Sequence, residues 1–248
     1  MSRAFVAASS QYVEYAGAVV TAYPLTFSCW IWPTIAAQTI MSIADSTNAN
    51  KRQALAMSAA GAINMTSHNG STSTSATTTA NATANEWNHV AGIVTSGTNR
   101  ASYLNGGNKG TDTTNIGMGT GHNRTTVGRR SNSTPAAYFD GRIAEVAVWN
   151  VALTDDEVRS LANRVCPLDL RPTALVGYWP LLGLHSPEID FSSGRNAMTV
   201  TGATAAAHAP VAPFSRRYWR ADVPFLDAVA PTGPFPPWPP ALNPLVRM

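Results

Sequence analysis

Charge is scarce in this chain. Of 248 residues only 12% are Asp, Glu, Lys or Arg, and 17 basic against 14 acidic side chains leave a net charge of +3. So small an excess points to neither a nucleic-acid nor a membrane partner. There are two cysteines, Cys29 and Cys166. A single pair does not make a disulfide scaffold, and the plainer expectation is two buried free thiols. No apolar run approaches the roughly 20 residues of a membrane span. The first residues, Met1-Ser2-Arg3-Ala4-Phe5, lack the apolar stretch of a secretory signal, so synthesis in a host cytoplasm is expected. The five histidines, His68, His89, His122, His185 and His208, share no metal-ligand spacing. Neither a nucleophile elbow nor a phosphate-cradling loop occurs.

What fills the chain instead is Thr, Ser, Asn and Ala on short alternating segments, which suits an all-β domain. Leu25 to Trp32 is the strongest early strand, ended by Pro33, and Asn105-Gly106 is a hairpin turn signal. Ser71 to Asn85 is low in complexity and reads as a solvated strand or loop at a rim. The chain is organised around Tyr138 to Ala162. Alternation over Arg142 to Trp149 puts Ile143, Glu145, Ala147 and Trp149 on one face and Ala144, Val146 and Val148 on the other. A strand apolar on both faces is expected inside a sandwich. One helix follows. Thr154 is its N-cap, Glu157 completes a capping box, Leu153 and Val158 hold staple positions, and Arg164 falls in the last turn.

The same stretch, Phe139-Asp140-Gly141-Arg142-Ile143-Ala144-Glu145-Val146 with Trp149-Asn150 and Ala152-Leu153-Thr154, resembles the closing segment of laminin-G-like, concanavalin A-like jelly rolls. Glu86-Trp87-Asn88-His89-Val90-Ala91-Gly92, Tyr103-Leu104-Asn105-Gly106, Thr126-Val127-Gly128-Arg129-Arg130 and Tyr178-Trp179-Pro180-Leu181 resemble further motifs in the family's order. The resemblance implies a jelly roll of two antiparallel sheets over residues 1–210, carrying one short helix. It implies no single activity, because this sandwich hosts lectins, glycan hydrolases and structural modules.

A retaining glycan hydrolase needs two carboxylates about 5 Å apart. The lone E-x-D, Glu188-Ile189-Asp190, reads as a pair of solvated loop acids, and Glu145 as a buried acid bonded to backbone or an arginine. The expectation is therefore a protein that is not an enzyme and has no catalytic residue. Relatives often bind calcium at the rim, for which Asp45, Asn48, Asn50 and Asp140 are the available oxygen donors. No dense ligand run exists, however, so neither metal nor cofactor is expected. Asp140 reads as a turn former capping its own backbone, and Arg129-Arg130 as a solvated strand end.

Residues 211–248 change character, holding nine of the 17 prolines. Pro234 to Pro240 can only be extended. Such an arm is expected to dock on a partner, with Trp219, Phe225, Phe235 and Trp238 as anchors and Arg216, Arg217 and Arg220 as charged contacts. Compact laminin-G-like modules of this type resemble those of bacteriophage structural proteins. The leading expectation is thus a virion protein that decorates or cements a capsid, joined by the arm to capsid proteins and to copies of itself. The alternative is a carbohydrate-binding module or tail-fibre adhesin taking a surface glycan at the sandwich rim. Trp30, Trp32 and Trp149 are the aromatics available to it, all three expected in the core.

Overall fold

The computed structural model describes residues 1–34 and 36–211; the proline-rich arm lies outside the described residues. Among the described residues, fifteen strands form two antiparallel sheets. They are β1 (Ser2–Phe5), β2 (Tyr12–Tyr15), β3 (Leu25–Pro33), β4 (Gln38–Ala44), β5 (Arg52–Met57), β6 (Ala62–His68), β7 (Ser73–Asn81), β8 (Asn88–Ser96), β9 (Asn99–Leu104), β10 (Gly107–Asp112), β11 (Arg124–Val127), β12 (Gly141–Trp149), β13 (Leu175–Trp179), β14 (Thr199–Thr201) and β15 (Thr204–Ala206). One sheet runs β10-β9-β8-β3-β12-β1-β15, with β13 also paired to β12; the other runs β14-β2-β11-β4-β5-β6-β7. The low-complexity stretch is the edge strand β7.

Side-chain alternation in the seven-stranded sheet can be followed straight across the strands. Val13, Val127, Met41, Leu55, Met65 and Ala76 are successive cross-strand partners and all are buried. They face Phe27, Cys29, Ile31, Val90, Val146 and Val148 of the other sheet across one core. Burial of such side chains, at about 25 cal/mol per Å² of apolar surface, is the main force holding the sheets together. The β9–β10 hairpin turns on Asn105 (φ 53°) and Gly106 (φ 74°), both left-handed as a two-residue hairpin demands. At Gly110 the sheets close so tightly that a Cβ would stand 1.7 Å from the carbonyl oxygen of Thr77.

A second apolar cluster lies on the outer face of the eight-stranded sheet. Here α1 (Asp155–Ala162) drops Val158 and Leu161 onto Ala91, Ala101, Tyr103, Ala147 and Trp149. Its capping box is complete: Glu157 N–H donates to Thr154 Oγ1 at 3.3 Å, and Thr154 N–H to Glu157 Oε2 at 2.7 Å. Leu153 and Val158 are buried in one cluster, as a staple requires. Arg164 lies beyond the helix, which ends at Ala162, so the basic side chain of the last turn is Arg159. Cys29 and Cys166 are both free and buried.

Strict alternation along β12 fails at Glu145. Ala144 pairs with Trp30 and Ala147 with Ser28, leaving Glu145 and Val146 together opposite Cys29. This is a β-bulge, with Glu145 at φ 55°. The extra residue moves Val146 and Val148 to the inter-sheet core beside Ile143, while Ala144, Ala147 and Trp149 turn outward. The expected grouping of Ile143 with Ala147 and Trp149 is therefore overturned. Among the described residues no helix is long and apolar enough to cross a membrane.

Candidate functional site

Three strand ends of the eight-stranded sheet meet at one rim. The end of β3 supplies Trp32, the start of β12 supplies Arg142, its cross-strand partner, and the residue before β8 is Trp87. Because Ile31 points into the core, Trp30 and Trp32 point outward. Trp30 is sealed beneath Ala209 and against His89, but Trp32 and Trp87 are half-exposed. Their rings meet edge to face, 5.9 Å between centroids at 73°. The Arg142 guanidinium lies 5.1 Å from the Trp32 ring centre and has no ion-pair partner among the described residues. Two partly exposed indoles beside a cation offer apolar ring surface with polar groups at its edge. Of the three tryptophans expected in the core, Trp149 and Trp30 are there and Trp32 is not.

Deeper under the same face is a polar cluster that no local sequence pattern encodes. Glu145 Oε2 accepts from the Tyr178 hydroxyl at 2.5 Å, and Oε1 lies 3.1 Å from His208 Nε2. The expected backbone or arginine partner is thus replaced by a tyrosine 33 residues away and a histidine 63 residues away, beyond any local pattern. Burial, and then the Glu145 charge, push the Tyr178 hydroxyl well above its usual range. Ser28 Oγ and His89 Nε2 are 2.9 Å apart in the same cleft. They resemble a nucleophile and its base, but His89 Nδ1 has no partner and nothing orients the ring for catalysis. Burial lowers the His89 pKa to about 3, too weak a base to draw a serine proton at neutral pH. The cavity there, about 10 Å³, has room for about one water and none for a sugar ring.

The acid pair is not solvated as expected. Glu188 and Asp190 are both buried. Glu188 Oε1 accepts from Arg3 Nε at 2.6 Å and from Gly183 N–H at 3.0 Å. Asp190 accepts from the backbone N–H groups of Tyr178, Ser192 and Asn196, each at 2.8 Å. These carboxylates fasten the loop after β13 to the sheet, and donors already engage them. The four oxygen donors proposed for calcium do not converge. Gln38, at the start of β4, accepts from Asp140 N–H at 2.6 Å, whereas Asp45 lies past the far end of the same seven-residue strand, about 20 Å away. Asp45 Oδ1 accepts from Thr47 N–H and hydroxyl, and Asn48 Oδ1 from Asn50 N–H and Lys51 N–H. Asp140 does not cap its own backbone: it accepts from Thr34 Oγ1 at 2.9 Å and Ala7 N–H at 3.3 Å. Among the described residues no group of three or more His, Cys, Asp or Glu could hold a metal. Arg216, Arg217, Trp219, Arg220, Phe225, Phe235 and Trp238 lie outside the described residues.

No curated protein sequence matches the chain. Among solved structures, a candidate carbohydrate binding protein from Bacteroides ovatus superposes with a TM-score of 0.62 at 22% identity, covering 85% of this chain. The chain spans 61% of that protein's length. The sialidase carbohydrate-binding module CBM40 of Ruminococcus gnavus, bound to α2,3-sialyllactose, gives 0.55 at 19% identity over 65% of this chain and 97% of its own. A heptameric SAP-like pentraxin from Limulus polyphemus gives 0.51 at 21% identity, over 61% of this chain and 75% of its own. At such identities the likeness is one of fold. The family model for the concanavalin A-like lectin/glucanases superfamily matches residues 7–159, well over half of the chain. With the two-sheet jelly roll and its closing strand and helix in place, the chain belongs to that superfamily.

Proposed function

We propose that the sandwich is a non-catalytic carbohydrate-binding module that takes its glycan at the Trp32–Trp87 rim. The observation that carries this reading is the pair of half-exposed indoles beside Arg142. A pyranose ring has an apolar C–H face and a hydroxyl edge, so it stacks on an exposed indole while a neighbouring guanidinium donates hydrogen bonds to its hydroxyl oxygens. The Bacteroides ovatus and Ruminococcus gnavus folds, both named for carbohydrate binding, support the reading. So does the engagement of Glu188 and Asp190 by internal donors, which leaves that acid pair unable to act as acid and nucleophile. The three similar structures are not, by their names, virion proteins. An attachment role would rest on the arm.

The test is a glycan array followed by titration of the best hit, monitored by tryptophan fluorescence. Trp32→Ala and Trp87→Ala should each weaken binding at least tenfold with little change in melting temperature, and no glycan should be hydrolysed. A screen without binding, or affinity untouched by both substitutions, would overturn the proposal.

A further inference from the structure

The outer face of the seven-stranded sheet lies on the opposite side of the sandwich from the tryptophan rim. Its register places one outward row across five strands: Arg124, Ala44, Arg52, His68 and Ser73 are successive cross-strand partners. Side chains directly opposite in such a row stand about 5 Å apart at Cβ, so Arg52 and His68 are immediate neighbours. The segment after β11 folds over β4 and is clamped there. Ser131 N–H donates to Ser42 Oγ at 3.3 Å, Ser133 N–H to the Asn48 carbonyl at 3.3 Å, and Asn132 Nδ2 to the Ala49 carbonyl. That clamp holds Arg130 close enough for its charge to act on both Arg52 and His68.

What the cluster lacks is an anion. Arg3, Arg100, Arg124, Arg129, Arg159 and Arg171 each have a carboxylate within 4 Å. Arg52 and Arg130 are half-buried and have none among the described residues. Arg52 spends one N–H on the Asn50 carbonyl at 3.2 Å, and Arg130 Nε is buried with no hydrogen-bond partner. His68 Nδ1 accepts from Gly70 N–H at 3.1 Å, which assigns the ring proton of the neutral form to Nε2, again a donor. Burial first, and then the two arginines, lower the pKa of His68 and keep it neutral. Two guanidinium forks and an imidazole N–H lie within range of one another's charge, all donors. Such a set is costly by itself and becomes favourable around an oxyanion, since planar N–H forks match carboxylate, sulfate and phosphate oxygens.

We propose that Arg52, Arg130 and His68 form a binding site for an oxyanionic group of a polar ligand, separate from the tryptophan rim. This site does not depend on the rim reading. The experiment is isothermal titration of the full chain with sodium glucuronate, inorganic sulfate and inorganic phosphate, with methyl glucoside as the neutral control. At least one anion should bind, more weakly as sodium chloride is raised, and methyl glucoside should not compete with it. Tighter glucuronate identifies a planar carboxylate as the preferred group; tighter sulfate or phosphate identifies a tetrahedral one. Arg52→Gln and Arg130→Gln should each weaken binding at least tenfold, while Arg164→Gln at the helix exit should not. Neither variant should lower the melting temperature by more than a degree or two, because each relieves a like-charge contact. If a glutamine variant does not fold, the lysine variant at that position keeps the charge, loses the fork and should still weaken binding. The proposal is overturned if none of the three anions binds, or if binding survives both substitutions at full strength.

Discussion

The outer faces of the two sheets make opposite uses of the same geometry. On the eight-stranded sheet the outward positions of β8, β9, β12 and β13 include Ala91, Ile93, Ala101, Tyr103, Ala147, Trp149 and Tyr178, all buried under α1 and the chain that follows it. On the seven-stranded sheet the outward positions of β5, β6 and β7 include Arg52, Asn64, Thr66, Ser75 and Thr77, none of them buried, and only Ala54 and His68 of that face of β5 and β6 are. Both sheets give their inner faces to one core. The difference is a helix. Where α1 covers a sheet, its strands read apolar on both faces; where nothing in the described residues covers it, they alternate. The two proposed binding sites lie where the cover stops, at the half-exposed rim of one sheet and along the open face of the other.

Several substitutions probe that contrast. Trp149→Ala removes the largest side chain beneath the helix, fully buried with its Nε1 donating to the Leu170 carbonyl at 2.9 Å. It should cost about 3–5 kcal/mol in urea unfolding, whereas Asn64→Ala on the open face should stay within about 0.5 kcal/mol. Similar costs at the two sites would erase the distinction between the faces.

Acid should act through the covered face too. His89 is held neutral by burial, its pKa lowered from 6.5 to about 3. Between these values the unfolded chain binds the extra proton, so stability is complete above pH 6.5 and falls as pH drops toward 3. At pH 5 the His89 share of that loss is about 2 kcal/mol. Melting curves of His89→Gln against the parent should converge on acidification; a constant gap across pH 7 to 4 would contradict the burial argument. A smaller loss concerns the cover itself. Thr154→Ala removes the N-cap oxygen that Glu157 N–H uses and should cost about 1 kcal/mol, and an unchanged unfolding midpoint would show that packing alone holds the helix.

Some elements could be read before any coordinates. The capping box needed only Thr154 and Glu157 three residues apart, and the β9–β10 turn needed only Asn105-Gly106, because both are set by backbone geometry within four residues. The strand identities followed from alternation and the family from motif order. The sites were less legible. Trp87 belongs to a recognisable strand motif, but its pairing with Trp32 depends on β3 lying beside β8. Arg130 by itself has the pattern of a solvated strand end and Arg52 carries no local signal, since bringing them into range requires the clamp of residues 131–133 onto β4 and the loop before β5. Glu188 and Asp190 looked solvated because loop acids usually are; Arg3, from the other end of the chain, made burial tolerable for Glu188.

The sequence by itself determined two apolar sheet faces, one capped helix and a jelly-roll order of motifs, since those signals are periodic or local. Only the tertiary structure decided the bulge at Glu145, which shifts the facing of Ala147 and Trp149 by one residue, and which polar side chains met a partner. Both are settled by contacts between segments tens to nearly two hundred residues apart. No local period can encode such contacts.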